Sequence, residues 1–572
     1  MMVTMLRLGL FLISGLGYWE YFRSRHNINV YFAPVYTVAV QFCVLFAAGI
    51  LNCLKDMTLA LYALGLLLFL KALYQRKLRL FSEYLNGGYV YFAVALVMAA
   101  LIVRGQQFLH FDNFTHWATV VRSMLHTDRF PTFKDAVVTF STYPLGTSAC
   151  IYYFCRLVGS GEDMQMLGQA YMMVCAILPV FAFARKNSWL SALLVTVMTG
   201  FLFDHNIPLT ELLVDTVMPL AAAAVLVFVY HSCISREGEG LSAYYAFPML
   251  LWLMNIKHAA LLYVVIGVLV LFFGTSARER GKKECLILAA ALVVARRVWS
   301  LHSSYVFPEE TSGMHSMSSD WFRYILGEKT AEDIWGIARG FASYVVSGRS
   351  YFWIFLWLGL LAVLVGLLVK ERRRYMALLS GGLAVYAVYL VGLLGMYIFS
   401  MPVEEGLASI ERYLKSIDVV VYYVFTIASV LVLSQLTDWK KALAVVLAMA
   451  AVTVLNWYLQ TADYTDLVHL RYTPQERQKI EEPLAEYGVA PGHSYLLCVT
   501  PTERSKNIKC LLSYYLLSAD AEQIVVTEDK QLEIEGNYDY VIILDQENPV
   551  IRQWQLENYP DSVGRSVIQH FN

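Results

Sequence analysis

The phrase Phe111-Asp112-Asn113-Phe114-Thr115-His116-Trp117 sets a carboxylate and an imidazole four residues apart, directly after an apolar run at about 88–104. Asp112 therefore stands at the mouth of a membrane crossing. If a helix begins here, Asp112 and His116 share a face. Val120, Val121, Met124 and Leu125 then give that helix an apolar side, which is expected to lie along the membrane surface. A carboxylate at that depth is partly desolvated and suited to general-base work. Aspartate is also a good helix N-cap, and the two roles are compatible. Asn113-Phe114-Thr115 fits a glycosylation sequon, but its place at the bilayer surface argues against that modification.

Other polar groups gather at the ends of apolar runs. Glu211 and Asp215 open the run 212–232 at a spacing of four, which on a helix puts both acids on one face. An acid in a membrane helix is costly unless it faces protein or water. Two readings stay open for the pair: a binding face, or a cap from Glu211 and a structural hydrogen bond from Asp215. Lys257 and His258 separate the short runs 244–256 and 259–274. A cation there suits a lipid phosphate, or it serves the loop carbonyls or snorkels to headgroups. Arg296, Arg297, Trp299 and His302 end another run; the arginines suit holding an outer vestibule or snorkelling equally well, and a surface histidine is the plainer reading of His302. Glu404, Glu405, Glu411, Arg412 and Tyr413 precede the run 416–434. Arg412 there suits a departing phosphate, held bidentately, or a salt bridge to a neighbouring glutamate.

The elements that must position these groups are membrane helices. Hydrophobic residues make up 58% of the 572, and charged residues only 16%, where a soluble chain carries about 25%. Apolar runs near crossing length recur along residues 3–460. Basic clusters at Arg23/Arg25, Arg76/Lys77/Arg79, Arg185/Lys186, Arg278–Lys283, Arg372–Arg374 and Lys440/Lys441 all reach the cytoplasmic side only if 244–274 crosses twice. The expectation is a polytopic α-helical membrane protein with about 13–14 crossings. Its membrane domain is 1–460, with outer loops 105–165 and 301–347. A small extracytoplasmic α/β domain follows over 461–572, with strands at 495–500, 523–527 and 538–544 and helices at 506–518 and 549–557. Aromatic residues, at 14%, are read mainly as interfacial belts. A net charge of −1 gives nucleic acid no electrostatic footprint. Nine scattered cysteines show no zinc or disulfide spacing. Cys498 and Cys510 could pair outside the cell or stay reduced.

The first outer loop resembles that of integral membrane glycosyltransferases of the GT-C class, such as the bacterial aminoarabinose transferases and protein O-mannosyltransferases. Asp112 matches the aspartate that opens the loop. Residues 117–131 look like the amphipathic helix and its end, Tyr143-Pro144-Leu145 like the proline element, and Thr147–Val158 like the helix after it. Asp215 is similar to the second-loop aspartate, and Arg412-Tyr413 to the Arg-Tyr element of a late helix. Two departures stand out. Asn113 replaces a second acid, which weakens a metal site, and Thr142-Tyr143 replaces a Lys-Pro pair.

The resemblance implies transfer of a sugar from a polyprenyl phosphate, with inversion at the anomeric carbon. The expected acceptor is an envelope glycan, lipid or protein at the outer face of the cell membrane. Asp112 would be the base, and His116, Tyr143, Glu211, Asp215, Lys257, His258, Arg412 and Tyr413 would bind substrate. Nucleotide sugars are cytoplasmic, so an outward site also implies a lipid-borne donor. No cofactor is expected, and a divalent metal stays an open alternative. A lipid-saccharide transporter or flippase would show an internal repeat and polar groups near the bilayer midplane; the chain shows no such repeat. A non-catalytic envelope scaffold is the third reading.

Overall fold

The structure is a computed structural model. It describes residues 2–76, 84–135, 138, 140–235, 238–275, 280–308, 319–346, 358–359, 363, 366, 372–460, 471–500, 505–518, 520–527, 537–544 and 546–569. Most of the apolar run 348–369, the basic residues Lys77, Arg79 and Arg278, and the start of the C-terminal segment at 461–470 lie outside the described residues.

The chain is a multi-pass helical membrane protein. Among the described residues, nine helices are long and apolar enough to cross a membrane, and four shorter apolar helices accompany them. They are apolar on every side, as helices between protein and lipid must be. In chain order the helices of this part are α1 (Met2–His26), α2 (Ala33–Ile50), α3 (Leu54–Arg76), α4 (Gly87–Val103), α5 (Ala118–Thr127), α6 (Gly146–Val158), α7 (Glu162–Ile177), α8 (Ser188–Leu202), α9 (Val217–Phe228), α10 (Phe247–Met254), α11 (Leu261–Gly274), α12 (Gly281–Val306), α13 (Ser319–Glu328), α14 (Ala331–Val346), α15 (Arg372–Phe399), α16 (Ile410–Gln435) and α17 (Trp439–Gln460).

Burial separates a centre from a rim. The span that contains α7 is 94% buried and those of α9 and α16 are each 83% buried, whereas α3, α12 and α15 are 22% buried. The rim helices therefore present their Leu, Val and Phe side chains outward, to lipid. The alanines Ala221–Ala224 let α9 approach α16 and α7 closely. Around this centre α4 packs on α7 and α8, α6 on α7, and α10 on α2.

The C-terminal segment begins with α18 (Pro474–Glu486). It continues through β1 (Tyr495–Val499), α19 (Ser505–Leu516), β2 (Ala521–Val525), β3 (Tyr540–Ile543), α20 (Pro549–Asn558) and β4 (Val567–Gln569). The sheet order is β2-β1-β3-β4, with β1 parallel to β2 and β3, and β4 antiparallel to β3. Alternation along β1 serves both faces. Tyr495, Leu497 and Val499 join the core shared with α19 and the membrane helices; Leu496 and Cys498 join the cluster capped by Ile551 and Trp554 of α20. Neither Cys498 nor Cys510 is in a disulfide.

Three expectations are corrected. The apolar side of α5 does not lie on lipid: Val120, Val121 and Met124 are at most 1% exposed, covered by α6 and by α19 of the C-terminal segment. The stretch 301–347 is not simply a loop, because α12 runs on to Val306 and two helices follow. The C-terminal segment also holds α18 and the short strand β4, neither of which was expected.

Candidate functional site

At one end of the bundle, four charged side chains from four separate parts of the chain form a continuous line. Asp112 follows α4, Asp215 precedes α9, Lys257 lies between α10 and α11, and Arg412 sits in the first turn of α16. Lys257 Nζ donates to Asp215 Oδ1 at 2.9 Å. Arg412 Nε stands 3.8 Å from Asp215 Oδ2, and Arg412 Nη1 donates to Asp112 Oδ2 at 2.9 Å. The side chain of Asp215 is 3% exposed and that of Asp112 is 22% exposed, so the line runs from a sealed carboxylate to a reachable one. Burial works against the Asp215 carboxylate, but Lys257 and Arg412 outweigh it and hold its pKa below the ordinary value. The Tyr413 ring lies under both cations, 5.3 Å from Lys257 Nζ and 5.5 Å from Arg412 Cζ.

Asp112 does not cap a helix. It has helical φ and ψ, its carboxylate accepts no capping bond, and the next five residues, Asn113–Trp117, form a π turn. His116 turns into an aromatic box of Trp117, Phe140 and Tyr143, with ring centroids 4.7, 5.8 and 5.4 Å away. Neither of its ring nitrogens has a hydrogen-bond partner among the described residues. Burial lowers its pKa to about 3, which leaves a neutral ring. Tyr143 meets His258 edge-on at 5.1 Å, and His258 Nδ1 is 2.7 Å from Arg296 Nη2. Burial pushes the Tyr143 hydroxyl up to about 12.

Glu211 and Asp215 do not share a helical face. Residues 203–216 form turns, because side chains rather than a helix ladder satisfy their backbone. Asn113 Oδ1 accepts from Leu212 N at 3.0 Å, and Gln169 Nε2 donates to Glu211 O at 2.8 Å. Asn206 Nδ2 donates to the carbonyls of Asp215 and Arg412 and to Ser416 Oγ. Glu211 makes its bonds outside the ion-pair line. It accepts from Asn113 Nδ2 and from His110 N, and Arg471 Nη2 lies 3.6 Å from it. Burial raises its pKa to about 7 against the opposing pull of Arg471. Arg412 pairs with these aspartates, whereas the sequence offered a neighbouring glutamate as its partner. Lys257 binds a carboxylate rather than loop carbonyls or headgroups. Among the described residues no group of three or more His, Cys, Asp or Glu is placed to hold a metal ion.

Lys257 is brought inward by a close approach. Gly146 N donates to Asn255 O at 2.6 Å, and a Cβ at Gly146 would fall 2.3 Å from that oxygen. Only glycine lets the start of α6 touch the α10–α11 junction.

Sequence reasoning missed Asn206, Asn113 as a brace, Arg471 and Arg477. Asp204-His205-Asn206, a polar patch between two apolar runs, was a visible signal for the first. Nothing local marks Arg471, which reaches Glu211 only through the tertiary fold.

No protein-family description and no curated protein matches the chain. Two crystal structures of ArnT from Cupriavidus metallidurans are similar to it. The apo structure aligns with a TM-score of 0.41 at 12% identity over 77% of this chain and 85% of that one. The structure bound to undecaprenyl phosphate aligns with a TM-score of 0.43 at 14% identity over 77% and 86%.

Proposed function

We propose that this protein is a membrane glycosyltransferase that moves a sugar from a polyprenyl phosphate to an envelope acceptor at the outer face of the membrane. The observation that carries this reading is the line Asp112–Arg412–Asp215–Lys257 at the helix ends. Two cations and two carboxylates balance when the site is at rest. A donor phosphate would compete for Arg412 and Lys257, and in taking Arg412 it would free Asp112. Asp112 would then accept the proton of the acceptor hydroxyl as oxygen attacks the anomeric carbon and the sugar–phosphate bond breaks. The phosphate leaves on the two cations. Attack opposite to the leaving group inverts that carbon. Asp215, sealed beneath, would keep both cations charged and aimed. The half-buried rings of His258 and Tyr413, backed by the buried His116 and Tyr143, would meet the sugar.

The C-terminal segment, extracytoplasmic with loops 105–165 and 301–347, would help bind the acceptor. The test is transfer in vitro from a polyprenyl-phosphate sugar by the purified protein and by Asp112→Asn. Transfer by the parent alone supports the reading. Equal transfer by both removes Asp112 as the base. Movement of the lipid-linked sugar across vesicles without transfer would replace the enzyme with a transporter.

A further inference from the structure

The C-terminal segment grips both flanks of Asp112 through one side chain. Thr473-Pro474-Gln475-Glu476 starts α18 with a capping box: Thr473 Oγ1 accepts from Glu476 N, and the Glu476 carboxylate accepts from Thr473 N. That cap fixes Arg477 in the first turn, 2% exposed. The guanidinium uses every donor it has. Nη1 donates to Phe108 O at 2.7 Å and Glu162 Oε2 at 2.8 Å. Nη2 donates to Glu162 Oε1 at 2.9 Å and Glu481 Oε1 at 2.7 Å, and Nε to Tyr515 Oη at 2.9 Å. Its Cζ lies 5.6 Å from the ring centres of both Phe114 and Tyr515.

Glu162 completes the clasp. It also accepts from Phe108 N at 2.8 Å and from Tyr514 Oη at 2.8 Å. Phe108 precedes Asp112 by four residues, and Phe114 follows it by two. Between them, Tyr472 N donates to Leu109 O at 2.8 Å, and His110 and Arg471 form an antiparallel bridge.

We propose that Arg477 is a positioning residue for Asp112: from the C-terminal segment it clamps Phe108, Phe114 and Glu162 and so sets where the Asp112 carboxylate stands. The kinetic consequence rests on the glycosyl-transfer reading, whereas the structural one does not.

The test uses the full chain in nanodiscs, comparing the parent with Arg477→Lys, Arg477→Gln and Tyr514→Phe. Backbone hydrogen exchange over 108–114 is measured beside that of α7 and α9. Exchange over 108–114 is expected to quicken about ten-fold or more in both Arg477 variants, with α7 and α9 unchanged. Lysine does not rescue, because a point charge cannot reproduce the bidentate fork. Transfer should show kcat down by about a hundred-fold with KM for the lipid donor little changed, as a displacement of about 1 Å would give. Unchanged exchange over 108–114 overturns the proposal. A rise spread equally over α7 and α9 overturns it too, since that marks a stability residue only. If the Arg477 variants do not fold, Tyr514→Phe decides: a smaller rise confined to 108–114 supports the clamp, and no rise there counts against it. A parent that transfers no sugar defeats the transferase reading, while the exchange measurement still decides the clamp.

Discussion

Arg412 donates to Asp112 at 2.9 Å across 300 residues of sequence. Its Nε simultaneously faces Asp215 at 3.8 Å. One guanidinium thus serves a reachable carboxylate and a sealed one. An anionic substrate that drew Arg412 to itself would leave the reachable carboxylate without its cation. Asp112→Asn should therefore lower transfer by about 10²–10⁴-fold. The fold should survive, because the side chains of Asp112 and Arg412 are 22% and 17% exposed and Arg412 still faces Asp215. Steady-state transfer together with melting in detergent checks both halves; a collapse in melting would make Asp112 structural.

The Asp215–Lys257 pair predicts a coupled loss. Both side chains are buried, so removing either leaves a charge without its partner, at a cost of about 3–5 kcal/mol. Asp215→Asn and Lys257→Met are each expected to melt early. The double variant should lose clearly less than the sum of the two. Strict additivity in that double-mutant cycle would show that the pair is not coupled.

The pH dependence of stability has opposed parts. Glu211 is lifted by burial from an ordinary 4.5 to about 7, so the folded state holds its proton more tightly than the unfolded chain. Its contribution is full below pH 4.5 and lost as pH rises to 7, about 3 kcal/mol in all. His110 and His116 are lowered by burial from 6.5 to about 4 and about 3. Their contribution is present above pH 6.5 and lost as pH falls. Glu211→Gln removes only the first part. Melting of that variant, scanned from pH 5 to 7, should rise more steeply with pH than melting of the parent. Parallel curves would mean that Glu211 is ionised throughout.

Gly146→Ala tests the approach that brings Lys257 inward. The added carbon meets the Asn255 carbonyl at 2.3 Å and displaces a backbone hydrogen bond. A destabilisation of about 1–3 kcal/mol is expected from overpacking. Transfer should also fall, since the α10–α11 junction carries Lys257. Wild-type melting together with wild-type transfer would show that the junction yields freely.

Much of this was legible in the chain because bilayers impose a length and an apolar composition on each crossing. The β1, α19 and β3 pattern was likewise readable from alternation and flanking turns. Asp112, Asp215, Lys257 and Arg412 announced themselves as charges at the ends of apolar runs. Their partners did not, since each pairs across at least 42 residues, a separation that no local period records. The unwound stretch before α9 was misread for one reason. Asn113 and Asn206 bond to backbone groups that a helix would otherwise use. Such side-chain substitution for a ladder leaves the apolar pattern intact and changes the geometry.

The 300-residue gap between Asp112 and Arg412 also orders events during synthesis. Ribosomes add about 5–20 residues each second, so the carboxylate is made roughly 15–60 s before its cation. Arg477, 315 residues beyond Glu162, comes later still. The first loop therefore enters the membrane with its acid unmatched and its flanks unclamped. The charge line closes only once α16 has been threaded in, and the clamp only after α18 has emerged. A half-made chain has Lys257 and both aspartates but not Arg412, so its carboxylates wait with one cation between them.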